Sequence, residues 1–375
     1  MSHRTYRRSR TSRALTGAAG AVLLFAAGAA VAEDGSAKIP RRPDGRPDLS
    51  GTYDVATLTP LVRPARFGEK LTLDDREAKE YADYWLSNLA KDYEPSDPDR
   101  GAPPVGGQEF YIPEFNGAAG GVGGYNAFFV DLGDSMFKIG GKWRTSIITD
   151  PPNGQLPPMT AAGMKRLASD VQDGRNTGEA WWIDLPVGPY DDPELRPLGE
   201  RCLLGFGSTS GPPSLPVMYN NVKRIVQTDT HVTILVEMNH DARVVRIGGK
   251  HPPAHFRKWM GDSIGWWEGD TLVVDTANFR EQSGFSLASK DLHVVERFTR
   301  VDADTLLYQF TVDDPGTWSK PWSGEYPWPA TSERLYEYAC HEGNYALGNI
   351  MRGARILEDE ARAKRTVAGD ADDGR

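Results

Sequence analysis

The residues that could move protons concentrate at one turn in the second half of the chain. His240, Asp241 and Arg243 separate two strand-like runs, so we expect them where strands end. A histidine transfers protons near neutral pH, a carboxylate orients its ring or acts as base, and an arginine holds an oxyanion. The pattern predicts that His240 and Asp241 are catalytic and that Arg243 binds substrate. The alternative interpretation is a polar turn, because Asn, His and Asp are common turn residues.

A second pair of polar residues, His341 and Glu342, directly follows Cys340. An even number of cysteines in an exported chain most often pairs, so we expect a disulfide between Cys202 and Cys340 that would hold His341 and Glu342 in place. We predict His341 as the second catalytic acid and Glu342 as a substrate-binding residue. A solvated strand end is the alternative.

Glu296 is the third candidate, because it lies in a strand-like run over 292–300 whose alternation surrounds it with apolar residues. A carboxylate on such a face is costly unless it is protonated or paired. The pattern predicts a catalytic carboxyl, or else a buried ion pair with Arg243 or Arg257. His293, on the opposite face of the strand, is a predicted substrate-binding residue.

Arg257, Trp259 and Tyr219 complete the predicted substrate-binding set. The ten tryptophans of the chain either line an aromatic ligand site or pack long loops onto the sheet. His251 and His255 are four residues apart, but the two prolines between them prevent a helix, so no metal site is predicted. Dinucleotide, phosphate-loop, nucleophile-elbow and zinc-protease motifs are missing from the sequence, and no cofactor is predicted.

Short strands joined by tight turns must position these residues. The strand-like segments are Gly51–Thr57, Phe128–Leu132, Met136–Thr149, Arg224–Gln227, Val232–Met238, Arg243–Ile247, Ile264–Trp267, Thr271–Asn278, Leu292–Arg300, Thr305–Val312 and Glu333–Ala339. Successive hairpins predict a mainly β fold, an up-and-down antiparallel, lipocalin-like barrel that leaves no exposed edge. The N-terminal half is expected to be loop-rich with a few helices, notably Thr72–Lys91 capped by Thr72, and a helix to residue 171 capped by Thr160.

We divide the chain into five parts on this basis. They are a signal peptide (1–32), a flexible lead-in (33–50), a loop-rich segment that packs on the barrel (51–222), the β-meander or barrel core (223–350), and a C-terminal helix with an acidic tail (351–375).

The N-terminus has the pattern of an export signal. Five arginines without an acid precede an apolar run, and Ala30-Val31-Ala32 offers a cleavage site, which predicts a periplasmic or secreted protein. Removing those arginines takes the formal net charge from -9 to -14. Such acidity disfavours nucleic acid and anionic membrane surfaces, and no membrane span is predicted. A small hydrophobic or aromatic ligand is the expected partner, and the oligomeric state is left open.

Several strings resemble a family of exported bacterial proteins to which no activity is assigned. The strings are Arg144-Thr145-Ser146, Asp150-Pro151-Pro152-Asn153-Gly154, Glu200-Arg201-Cys202-Leu203, Met218-Tyr219-Asn220-Asn221, His240-Asp241-Ala242-Arg243, Trp259-Met260-Gly261-Asp262-Ser263, Trp267-Glu268-Gly269-Asp270-Thr271-Leu272-Val273-Val274 and Tyr338-Ala339-Cys340-His341-Glu342-Gly343-Asn344. The resemblance implies an exported, β-rich protein and brings no active site with it.

The sequence therefore favours a cofactor-independent periplasmic enzyme of lyase, isomerase or hydratase type. It would act by general acid–base chemistry on a small hydrophobic oxygenated molecule. Hydrolysis of a small ester or glycoside is a variant of this hypothesis. A non-catalytic lipocalin-type binding protein and a structural envelope protein are the competing classes.

Overall fold

Most strands of the chain belong to one large sheet. The computed structural model describes residues 39–91, 99, 130–173, 177–205, 211–281, 285 and 287–372. The predicted signal peptide lies outside these residues, as do Phe128 and Phe129 of the predicted strand Phe128–Leu132, and the other three residues of that segment form no strand. The strands are β1 (Gly51–Asp54), β2 (Thr72–Leu73), β3 (Lys138–Ile139), β4 (Lys142–Arg144), β5 (Ile148–Asp150), β6 (Val222–Gln227), β7 (His231–Val236), β8 (Ala242–Ile247), β9 (Asp262–Glu268), β10 (Thr271–Ala277), β11 (His293–Arg300), β12 (Thr305–Asp313) and β13 (Trp322–Pro329).

The large sheet has ten strands in the order β1-β6-β7-β8-β9-β10-β11-β12-β13-β5 and curls into a half barrel. Tyr53 of β1 forms an isolated bridge with Ala330, just after β13, but β1 and β13 form no continuous ladder. The predicted mainly β class is confirmed, and the predicted closure into a barrel is not. A second, three-stranded sheet has the order β2-β4-β3.

Neighbouring strands of the large sheet are antiparallel with one exception. β8 and β9 run parallel, with Val245 opposite Ser263 and Ile247 opposite Gly265. Antiparallel strands need only a tight turn, whereas parallel strands need a connection that returns to the starting end. Residues 248–261 form that connection, so the up-and-down order we predicted is wrong at this pair.

The inner face of the curled sheet carries the main core. Along β11 the burial alternates, with Val294, Glu296 and Phe298 inside and His293 on the outer face, as the sequence predicts. Tyr308, Tyr326 and other aromatic side chains from β12 and β13 fill the same interior with almost no exposed surface. The inner space that a lipocalin would leave for ligand is therefore packed by protein side chains in this part of the chain.

Two predicted elements at the C-terminal end of the sheet differ from the structure. Residues 333–339 form no strand, and the last strand is β13, which contains Pro327 and Pro329. Proline argues against a central strand, yet β13 pairs with β12 on one side and, over a short stretch, with β5 on the other. Most of its length is thus free on the β5 side, which accommodates the prolines.

Within the described residues the α-helices are α1 (Asp75–Lys91), α2 (Ala161–Asp173) and α3 (Tyr345–Asp372). α1 begins after Asp74, which accepts a hydrogen bond from the Glu77 backbone at 2.8 Å while Glu77 accepts one from the Asp74 backbone at 3.2 Å. The predicted cap at Thr72 is wrong because Thr72 belongs to β2. Thr160 caps α2 as predicted. Among the helices described, none has the length and hydropathy that crossing a bilayer requires.

The predicted divisions at residues 50 and 222 do not correspond to breaks in the structure. Residues 39–50 pack on the sheet instead of forming a flexible lead-in: Leu49 is fully buried and Arg41 pairs with Asp270 at 2.5 Å. β1 and β5, from the segment expected to be loop-rich, form the two edges of the large sheet.

Candidate functional site

The predicted cluster around His240 does not bring its side chains together. Asn239 and His240 both have left-handed backbone angles, φ 60° and 48°, and His240 is exposed. Asp241 is buried and accepts a hydrogen bond from the Gly205 backbone at 2.9 Å. Arg243 points to the inside of the sheet. The three side chains thus have three different environments. This agrees with the alternative interpretation, in which these residues form a polar turn.

Arg243 and Glu296 form an ion pair in the interior. Both guanidinium Nη atoms donate to the Glu296 carboxylate, and the Tyr308 hydroxyl donates to it at 2.8 Å. Tyr308 in turn accepts the Ser214 backbone N–H at 2.9 Å. Burial and the Glu296 charge raise the pKa of Tyr308 well above its usual value. The geometry corresponds to the buried ion pair that the sequence left as the alternative for Glu296.

Lys223 lies in the same interior. Its Nζ is 5.9 Å from the centre of the Trp328 ring. Burial, together with the Arg243 charge, lowers the pKa of Lys223 to about 7. The Lys223 side chain is fully buried, so this amine is shielded from solvent in the described structure.

The other predicted residues lie at separate places in the fold. Cys202 and Cys340 are bonded, with their Cα atoms 5.6 Å apart, as predicted. His341 and Glu342 beside them are exposed, and Tyr219 is half-buried. Arg257 donates to the backbone oxygens of Phe279 and Lys290, and Trp259 stacks under Arg280 at 4.0 Å.

One predicted residue, His293, does belong to a compact polar cluster on the outer face of the sheet. Its Nε2 lies 2.7 Å from one oxygen of Asp275. The other Asp275 oxygen lies 2.7 Å from Nε2 of His251. The carboxylate therefore bridges two imidazoles, and we call His251, Asp275 and His293 the bridged histidine pair.

Neighbouring strands set this geometry. Asp275 of β10 stands directly opposite Ile264 of β9 and Val295 of β11, and His293 is two residues before Val295 on the same face. His251 reaches the carboxylate from the connection between the parallel strands. Ile264 and Val295 are half-buried, so the polar pair is bordered by apolar surface.

Asp262, at the start of β9, contacts His251 and thereby holds the cluster in place. It is 1% exposed and accepts hydrogen bonds from Arg246 through both oxygens, from Lys258 at 2.8 Å, and from His251 Nδ1 at 3.1 Å. Burial alone would raise the pKa of Asp262, but these hydrogen bonds outweigh it and hold the pKa far below its usual range. Both ring nitrogens of His251 thus face carboxylates, Nδ1 towards Asp262 and Nε2 towards Asp275.

His293 has the geometry of a proton-transfer group. The hydrogen bond to Asp275 raises its pKa, and burial opposes this only in part. Within the described residues the structure gives its Nδ1 no hydrogen-bond partner, and the side chain is 42% exposed. An imidazole whose Nε2–H is held by a carboxylate presents a lone pair on Nδ1.

Sequence reasoning assigned His293 to substrate binding and missed the other members of the cluster. The hairpin over Glu268-Gly269-Asp270 sets the register of β9 against β10, which is enough to place Asp275 beside Ile264. β10 and β11 are joined by a longer segment, which does not fix their register in this way. His251 lies in the connection between the parallel strands β8 and β9, and that connection has no recognisable sequence motif. The His251–His255 spacing was considered only as a metal motif.

Two surface cavities lie beside α3, and the first is lined by residues that flank His341 and Glu342 in the sequence. One, of about 310 Å³, is lined by the disulfide, Tyr338, Leu347 and Ile350. The other, of about 320 Å³, is lined by Trp182, Tyr190 and Ile350 among others. In the part of the chain that is described, no group of three or more His, Cys, Asp or Glu side chains is placed to hold a metal ion.

Comparison with known proteins adds no assignment. No protein-family model, curated protein or solved structure matches this chain, so its resemblance to an exported bacterial family stays a prediction.

Proposed function

We propose that this protein is a cofactor-independent acid–base enzyme, of lyase, isomerase or hydratase type, acting on a small hydrophobic oxygenated molecule in the periplasm. The observation that supports it is the bridged histidine pair, in which Asp275 holds Nε2 of His293 and leaves Nδ1 open to solvent. The apolar surface of Ile264 and Val295 beside it suits an apolar substrate.

His293 acts as the base in this proposal. Its Nδ1 takes a proton from a substrate carbon next to a carbonyl, and the electron pair of that C–H bond moves into the enolate. The Asp275 carboxylate stabilises the imidazolium that forms, in the manner of an orienting carboxylate. The same nitrogen returns the proton to another carbon in an isomerisation, or to a leaving oxygen in an elimination.

His251 positions the bridging carboxylate. Because both of its nitrogens are held by carboxylates, its ring is unavailable as a base, and its role is to keep Asp275 in place. Arg246 and Lys258 pair with Asp262 and place two cations beside the cluster, where they oppose the negative charge of a developing enolate.

The alternative is a non-catalytic binding protein. The observation that favours it is the pair of cavities beside α3, where Trp182 and Tyr190 offer aromatic surface to a small ligand. Such a protein would bind without moving a proton, and the chemistry of His293 would be irrelevant to it.

Hydrogen–deuterium exchange separates the two functions. Cyclic ketones and enones in D₂O, followed by proton NMR, report proton abstraction next to a carbonyl. We expect the protein to accelerate exchange for at least one compound, and His293→Gln to reduce the acceleration by about 10²–10⁴-fold. His231→Gln, an exposed histidine on β7, is the matched control and should retain full activity.

Two results would overturn the proposal: no acceleration above buffer for any compound, or equal acceleration by the wild type and His293→Gln. Asp275→Asn gives an independent check because it leaves the base in place. It should lower the rate and shift the pH dependence of exchange to lower pH, since Asp275 raises the pKa of His293.

A further inference from the structure

The connection between β8 and β9 is a basic segment in an acidic protein. Residues 248–261 contain Lys250, Arg257 and Lys258, together with two histidines, and no aspartate or glutamate. The chain as a whole has a formal net charge of -9. Exposed charges more than about 8–10 Å apart are largely screened at physiological ionic strength. A partner that contacts this segment therefore encounters the positive charge of the segment more than the net charge of the chain.

Two cations from outside the connection lie against it. Arg257 donates from Nη1 to the backbone oxygens of Phe279 at 2.8 Å and of Lys290 at 2.7 Å. The Arg280 backbone N–H donates to the Lys258 oxygen at 3.0 Å. We call the resulting set the basic rim, which consists of the exposed residues Lys250, Lys258, Arg280 and Lys290 and the half-buried Arg257.

The carboxylates around the basic rim are fewer than its cations. Lys258 pairs with the buried Asp262, which Arg246 also contacts. Glu281 and Asp291 are exposed and directly follow two rim residues in the sequence. The six cations, with Arg246 included, outnumber these three carboxylates, so the surface of the rim is positively charged.

The middle of the connection exposes an apolar tip, Pro253-Ala254-His255-Phe256. All four residues are exposed, and Phe256 has 57% of its surface exposed. The Phe256 backbone donates to the Pro253 oxygen at 2.9 Å, and the centres of the His255 and Phe256 rings lie 4.2 Å apart. Asn278 Nδ2 donates to the Pro252 oxygen at 3.0 Å and holds the start of the tip. The exposed ring thus belongs to a structured turn that the basic rim borders.

We propose that the apolar tip and the basic rim dock this protein on the surface of an anionic phospholipid bilayer. Phe256 enters the boundary between headgroups and acyl chains, and the rim cations contact the lipid phosphates. A nucleic acid or an acidic polysaccharide would bind the cations and leave Phe256 in water, so the exposed ring favours the bilayer. The docking surface does not depend on proton transfer by His293.

Sedimentation with phospholipid vesicles tests the docking surface. We expect the purified protein to bind vesicles of phosphatidylcholine and phosphatidylglycerol in equal parts, and to bind vesicles of phosphatidylcholine alone at least tenfold more weakly. Raising sodium chloride from about 0.1 M to about 0.5 M should release most of the bound protein, because salt screens the attraction between the rim and the lipid phosphates. Failure of the wild type to bind the mixed vesicles at the lower salt concentration would overturn the proposal.

Phe256→Ser tests the apolar tip. It should weaken binding to the mixed vesicles by about tenfold, the order expected when an aromatic side chain loses its apolar surroundings, and leave the salt dependence unchanged. Val187→Ser is the matched control, because Val187 is 64% exposed and lies outside the connection, and it should bind as the wild type does. Undiminished binding by Phe256→Ser would overturn the proposal in favour of electrostatic adsorption alone, as to any polyanion.

Lys250→Gln combined with Lys290→Gln tests the basic rim. The double variant should bind the mixed vesicles at least fivefold more weakly, with a shallower salt dependence. Lys142→Gln combined with Lys364→Gln removes two exposed lysines elsewhere, on the small sheet and on α3, and should retain most of the binding. Equal losses in the two double variants would assign the effect to net charge and overturn the docking surface.

Discussion

At the scale of single residues, Glu296 shows how a carboxylate on an apolar face is accommodated. Its two oxygens accept hydrogen bonds from Arg243, and one also accepts from Tyr308. The alternation along the strand was sufficient to predict that Glu296 points inward. Nothing in the sequence indicated whether Arg243 or Arg257 would meet it, because that depends on how β8 and β11 face each other across the curled sheet.

Glu296→Gln should therefore destabilise the protein. The amide leaves Arg243 buried without a counter-charge, which typically costs about 3–5 kcal/mol of unfolding free energy. Urea unfolding followed by tryptophan fluorescence measures it. Glu268→Gln is the control, because Glu268 pairs with Arg297 at the surface, and such pairs contribute about 0–1 kcal/mol. Equal effects of the two substitutions would contradict the assigned role of the buried pair.

The pH dependence of stability should contain a contribution from His293. Its pKa is raised in the folded protein by Asp275, so the stabilisation is fully present below the pKa of the unfolded chain. It is lost as the pH rises through the folded-state pKa. Urea midpoints measured between pH 5 and 9 should fall more steeply with pH in the wild type than in Asp275→Asn, in which the attraction is removed. Parallel curves would contradict the prediction.

At the scale of secondary structure, the N-terminal cap of α1 was predicted at Thr72, two residues before the observed cap at Asp74. Asp74 and Glu77 form the reciprocal cap. Asp74→Ala should cost about 1 kcal/mol of unfolding free energy, whereas Asp74→Ser should be nearly neutral because serine also caps. A loss as large in the serine variant would assign the effect to charge and not to capping.

The close approach of β5 to β13 depends on Gly324 of β13, which has no side chain. A Cβ on Gly324 would lie 2.6 Å from Phe310 Cζ and 2.9 Å from the Ile147 oxygen. Gly324→Ala should then cost about 1–3 kcal/mol through overpacking. Gly348 of α3 has open space around it, so Gly348→Ala should stabilise by about 0.5–1 kcal/mol. Opposite signs in urea unfolding are the expected outcome.

Strand identity was easier to predict than strand pairing. β6 to β12 follow alternating or β-branched runs, so the sequence located all of them to within a few residues. The parallel β8–β9 pair could not be predicted, since its connection contains neither helix nor regular strand. The bridged histidine pair depends on that connection for His251, which explains why the candidate site was only partly anticipated.

At the scale of the whole molecule, the disulfide ties the loop around Cys202 to the segment before α3 across a sequence separation of 138. The chain-entropy relation gives about 5 kcal/mol for a loop of this length. Reduction should lower the Tm, and Cys202→Ala combined with Cys340→Ala should reproduce that loss and abolish the response to reductant. Mass spectrometry after alkylation without reduction should find no labelled thiol in the wild type. Two labelled thiols would contradict the bond.

The placement of the two edge strands determines the order in which the fold can be completed. Gly51 of β1 pairs with Ile225, 174 residues later, and Ile148 of β5 pairs with Gly324, 176 residues later. Contacts at such separations slow folding, because the intervening chain must be gathered before they form. Both edge strands are synthesised before the strands with which they pair. In a chain that emerges vectorially from a ribosome or a translocation channel, β5 therefore cannot pair with β13 until nearly the whole length is available. Any product that ends before β13 keeps β12 as an unprotected edge.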